Sequence, residues 1–160
     1  MSEFENLFCE AIENLSVVIN KKLESKELLG IGFVTSDDLS GIAAYYRFED
    51  DLPKNHDLYD KYSPVEWKRS EGDCFHKLNE ELKSICKLRL SSDYETLVRE
   101  IYDGCINSIN KLKLRKKYGE YLYLTFTSTD PSEFMLEEEQ RFVKRMNTSK
   151  LYSEWKLVLD

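Results

Sequence analysis

Few residues in this chain could start covalent chemistry. The two histidines, His56 and His76, stand near neither a G-x-S-x-G elbow nor a cysteine-protease signature. Cys74 and His76 lie two apart on a stretch that reads as helix, where such side chains diverge. Adding Cys86 gives at most three metal ligands, one short of a structural zinc site. Gly30-Ile31-Gly32 is the only close glycine pair. It lacks the third glycine and the Lys-Ser/Thr of a phosphate loop, and it sits inside an apolar run, where it reads as a bulge or a close backbone approach. Carboxylates are the abundant chemistry: Asp37-Asp38, Glu49-Asp50-Asp51 and Glu137-Glu138-Glu139. Paired acids can hold Mg²⁺ or move protons, but no D-x-D-x-D-G loop accompanies them. In a chain with 33% charged residues such runs read as solvated surface. The expectation is a protein that is not an enzyme, with no catalytic residue, metal or cofactor.

The distribution of charge says more. The formal net charge is −7, which disfavours direct nucleic-acid binding and suits a basic protein partner. Between Asp37 and Asp73 ten acids face five bases, and residues 130–139 add five acids with no base. The basic run Lys111, Lys113, Arg115, Lys116 and Lys117 falls at an expected helix C-terminus, where cations are favoured, and lacks the interleaved aromatics of an RNA or DNA site. Tyr45, Tyr46, Tyr59, Tyr62 and Trp67 lie in or beside the acidic stretch. Tyr and Trp are common interface anchors. Adjacent Tyr45 and Tyr46 must point to opposite faces of a strand, so one belongs to the core, and Trp67 reads as a plug that holds the loop down. The candidate partner-binding surface is therefore Tyr46, Glu49, Asp50, Asp51, Asp57, Tyr59, Asp60 and Tyr62.

The elements that must position these residues follow from periodicity. Residues 3–26 carry Phe4, Phe8, Ile12, Leu15 and Ile19 at helical spacing. Residues 28–35 and 42–48 read as an antiparallel hairpin across the turn 36–41. Residues 49–71 read as a long irregular connection. Helices are expected over 72–90, then from a break at Ser91-Ser92-Asp93 to about 117. Residues 120–128 are the clearest strand by composition, 129–132 a turn, and 133–146 a helix carrying Phe134, Met135, Phe142, Val143 and Met146. The tail should dock through Tyr152 and Trp155, with a short fourth strand allowed near 151–158. No repeat or linker divides the chain, so residues 1–160 form one domain of the α+β class, a small, mostly antiparallel sheet packed against several helices. The acidic N-terminus has no signal-peptide pattern and no apolar run is long enough to span a bilayer, so the expected location is cytoplasmic, away from membranes.

Tyr62-Ser63-Pro64-Val65-Glu66-Trp67-Lys68 is followed by a helix near Cys74-Phe75, then by the strand Tyr121–Thr127, the Ser128-Thr129-Asp130 turn, an acidic helix and Arg145-Met146-Asn147-Thr148. This order is similar to a family of small bacterial proteins with a central proline–x–Glu–Trp motif, which resemble immunity proteins of contact-dependent inhibition and other polymorphic toxin systems. The resemblance implies a cytosolic protein that binds the C-terminal domain of a cognate toxin, one class of which is basic nucleases, and covers its active or substrate-binding site. It carries over no catalytic residue. The alternative is a small enzyme or nucleotide- or metal-ligand-binding domain that uses acids of the 49–71 loop to hold a cation.

Overall fold

In a computed structural model, which describes residues 2–23, 26–52, 56–89 and 93–159, the chain forms a mixed four-stranded sheet set among helices, an α+β fold. Helix α1 (Ser2–Asn20) turns Phe4, Phe8, Ile12, Leu15 and Ile19 inward. It stops short of the expected residue 26, because the chain must straighten to pair Leu28 with Phe48. Strands β1 (Leu28–Thr35) and β2 (Ile42–Phe48) form the expected antiparallel hairpin, with a register shift between Leu28 and Gly30.

The supposed irregular connection is largely structured. After a 3-10 turn over Glu49–Asp51 come helix α2 (Leu58–Tyr62), a second 3-10 turn at Pro64–Glu66 and edge strand β3 (Arg69–Glu71), antiparallel to β2. Pro53 and Asn55 lie outside the described residues, as do Ser91 and Ser92. Helices α3 (His76–Arg89) and α4 (Tyr94–Leu112) carry the chain to the far side of β1. There β4 (Tyr123–Ser128) pairs parallel to β1, giving the order β3-β2-β1-β4. That crossover makes the sheet mixed, with two antiparallel pairings and one parallel.

The helix expected to run to 117 breaks at Lys113 (φ 52°), and α5 (Leu114–Tyr118) follows in a new direction. The break buries Leu114 and lets the Arg115 guanidinium donate to the carbonyls of Met146, Glu120 and Leu122. Helix α6 (Glu133–Met146) starts on Ser132, whose hydroxyl accepts from Met135 N–H. The tail is not a strand. It is helix α7 (Ser149–Leu159), because Leu151 and Trp155, four residues apart, bury one helical face.

One sheet face is closed by aromatic contacts. Phe8 of α1 lies 5.0 Å from Phe33, Phe75 lies 6.1 Å from Phe33, and Tyr102 of α4 lies 4.7 Å from Phe126. Cys9, Cys86 and Cys105 are buried in α1, α3 and α4 as free thiols. Two asparagines complete strands through their amides. Asn79 accepts from Ile42 N–H (2.8 Å) and donates to Ile42 C=O (3.0 Å), just beyond the three residues that β3 covers. Asn147 treats Leu124 likewise, accepting from its N–H at 2.9 Å and donating to its C=O at 2.6 Å.

Candidate functional site

The second sheet face is covered by a strap, residues 57–67, and α7 packs against α2 of that strap and against α6. Strand register sets Arg47, Gly30 and Tyr123 in one row and Tyr45, Gly32 and Thr125 in the next. Each row has a glycine at its centre, and the strap fills both gaps. A Cβ on Gly30 would lie 2.6 Å from Trp67 Cη2, and one on Gly32 2.5 Å from Pro64 Cβ. The glycines thus mark both a register shift and a close approach. Pro64 and Trp67 are the inward residues of their motif, and Val65 and Glu66 face out. Trp67 stacks on the Arg47 guanidinium (5.3 Å) and donates from Nε1 to Asp60 C=O (3.2 Å). Arg47 is 2% exposed, its Nε and Nη1 have no hydrogen-bond partner, and burial lowers its pKa to about 10. Tyr62 is buried and donates to Glu154 Oε2 of α7 at 2.6 Å, beside Lys61, which pairs with the same oxygen. Burial and that carboxylate push the Tyr62 hydroxyl well above its ordinary range.

This architecture sorts the expected partner-binding residues. Tyr46 is the core member of the Tyr45–Tyr46 pair, and its hydroxyl accepts from Lys22 Nζ at 2.9 Å. Buried Tyr46 and Tyr62 are therefore corrected from surface anchors to framework. Asp51 is likewise framework. It accepts from Arg69 Nε (2.7 Å), Arg69 Nη2 (2.8 Å) and Phe48 N–H (2.9 Å). Burial would raise the Asp51 carboxyl, but the bonds from Arg69 and Phe48 outweigh it and hold it low. Asp60 is half-buried, and Asp57 is exposed and caps α2 by accepting from Asp60 N–H (2.9 Å). Asp50 is exposed and pairs with Lys26. Glu49 is exposed, and Tyr59 is 52% exposed.

Sequence reasoning missed the groove beside the strap. It has a volume of about 230 Å³ and runs between Tyr59, Pro64 and Val65 on one side, Trp155, Val158 and Leu159 of α7 on another, and Leu136 of α6 with the end of β4. Its rim leaves Tyr59 52%, Val65 43%, Leu136 45% and Leu159 57% exposed, a concentration of apolar surface at one place. Among the groove-lining side chains is Glu139, which accepts from Thr127 Oγ1 (2.8 Å) and Thr125 Oγ1 (3.5 Å). Burial pushes its pKa up from 4.5 to about 7. No cation pairs with it among the described residues. Its neighbour Glu138 is 4% exposed and bonded to Arg99 Nε (3.2 Å) and Arg141 Nε (2.6 Å). The acidic run at 137–139 is therefore not simply solvated surface. Positions 135, 138, 139, 142, 143 and 146 share the inward helical spacing of α6, and acids at two of them were the available signal.

Cys74 is half-buried in a 3-10 turn over Asp73–Phe75, His76 is exposed at the start of α3, and no group of three or more His, Cys, Asp or Glu side chains among the described residues is placed to hold a metal ion. No helix among the described residues is long and apolar enough to cross a membrane. No protein-family model, curated protein or solved structure matches the chain.

Proposed function

We propose that this chain is an immunity-type inhibitor that binds a basic toxin domain in the cytoplasm and covers its active or substrate-binding surface. The observation that carries the reading is the strap with its groove. Exposed Tyr59, Val65, Leu136 and Leu159 surround one cleft, and Asp57, Asp60 and Glu66 lie on the same strap. An aromatic–aliphatic centre bordered by like charge is the composition of a protein interface that steers an oppositely charged partner. The strap is also held rigid by Trp67 over Gly30 and by Tyr62 on Glu154, so little order is lost on binding. The alternative of a cation-holding loop gains nothing here, since Asp50, Asp51 and Asp57 are engaged by Lys26, Arg69 and the α2 terminus.

The test is capture of a partner by the tagged chain, followed by expression of that partner alone and together with the chain. The expected partner is the C-terminal part of a large secreted protein, toxic alone and harmless in company. A partner whose toxicity the chain does not relieve would end the reading. Tyr59→Ala with Val65→Ala and Glu66→Lys should weaken binding at least tenfold, and unchanged affinity would mean that the interface lies elsewhere.

A further inference from the structure

We infer that the groove beside the strap is a binding site for an aliphatic ammonium group, the side chain of a lysine on the partner protein. This inference rests on the proposed function for the source of the lysine, while the chemistry rests on the groove alone. Glu139 brings a carboxylate to a cleft whose other walls include Tyr59, Pro64, Val65, Trp155 and Val158, with no Lys, Arg, His or second acid among the residues that line it. From β4 it is met by the hydroxyls of Thr125 and Thr127. The phenols of Tyr102 and Tyr123 stand within electrostatic range, both held neutral by burial. The strap and α7 present no cation to it among the described residues.

A carboxylate shielded from water is costly unless paired. One residue earlier the chain meets that need from within, since Glu138 has Arg99 and Arg141. Glu139 is half-buried and is met only by hydroxyls, so either a proton or a cation entering through the groove can offset its charge. A lysine matches the cleft in both parts: its methylene stem lies against apolar walls, and its compact ammonium meets one carboxylate whose oxygens already each accept a threonine hydroxyl. The planar fork of an arginine is bulkier than the single ammonium that this one carboxylate has to meet, and an anion would be repelled.

The experiment uses the full chain, isotopically labelled, and follows the Glu139 carboxyl and Trp155 indole signals by NMR. The probes are N-acetyl-lysine methylamide and its uncharged norleucine counterpart. The lysine probe should shift both signals saturably and lower the Glu139 pKa, and the norleucine probe should bind at least fivefold more weakly. Glu139→Gln, which keeps the shape and the threonine contacts, should bind the two probes alike. Equal binding of both probes to the unaltered chain, no saturable shift with lysine, or a lysine preference that survives Glu139→Gln would each overturn the inference. Because no toxin is involved, a captured partner whose toxicity the chain does not relieve, together with a positive lysine titration, removes the immunity reading and leaves the site standing.

Discussion

The two faces of the sheet are built on opposite principles. One is a dry aromatic layer in which Phe8, Phe33, Phe75, Tyr102 and Phe126 meet ring to ring. The other sets one buried charge, Arg47, in a row with Gly30 and Tyr123 and covers it with a strap that fills the space two glycines leave and packs on Arg47 and Tyr123. The first face can be stabilised by apolar burial alone, and the second keeps polar groups that such burial does not explain: Arg47 beneath Trp67 and Glu139 at the groove. The lesson is a division of labour, in which one side holds the fold and the other holds what the fold displays.

That comparison can be broken or sharpened by substitution. The largest effect is expected on the aromatic face: Phe126→Ala, at a fully buried ring, should cost about 3–5 kcal/mol in denaturant titration. A much smaller loss would mean that the aromatic face is not the main support. Next comes Glu139. Its folded pKa of about 7 lies above the 4.5 expected when unfolded, so the folded state holds the proton more tightly. Its contribution is fully present below 4.5 and is lost as pH rises to about 7, a change on the order of 3 kcal/mol. Asp51 and Glu154, whose pKa values are lowered, act in the opposite sense at more acid pH. Both are common to the unaltered chain and Glu139→Gln, so the difference in stability between the two, measured from pH 4 to pH 8, should isolate the slope. A difference that does not vary with pH would show Glu139 to be solvated.

Gly30→Ala should cost about 1–3 kcal/mol by driving a methyl into the Trp67 ring. In a Trp67→Ala background the same change should cost almost nothing, and simple additivity would show that the strap does not rest on the glycine. The smallest effect is expected at Glu49, exposed and outside the groove, where Glu49→Lys should alter stability by less than about 0.5 kcal/mol.

How much of this could be read in advance depended on whether the signal was local. The hairpin 28–35/42–48 and helix 133–146 appear where periodicity puts them, because their apolar spacing and turn residues lie within each segment. Strand β3 was illegible. Arg69-Ser70-Glu71 is an edge strand with neither face buried, so no alternation is written into it. For the tail, docking through Trp155 was legible but its conformation was not: a short strand near 151–158 was allowed, whereas Leu151 and Trp155 stand at helical spacing and bury one face of α7. In the candidate site the acids were legible by type but not by partner. Asp51 is bound to Arg69, eighteen positions along the chain, and Lys61 to Glu154, ninety-three away. Only the folded chain shows which acids are already paired with a base, and that Glu139, in the wall of the groove, is met by two threonine hydroxyls and by no cation among the described residues.

The amides of Asn79 and Asn147 carry a consequence for association. A bare strand edge is a template on which a second molecule can polymerise, backbone to backbone. Here the β4 edge is plugged at Leu124, and the stretch of β2 beyond β3 is plugged at Ile42, each by one side chain imitating a neighbouring peptide unit. At those two positions the sheet cannot be lengthened by a visiting strand without first evicting an asparagine, so growth into ordered aggregates is obstructed there by two single residues.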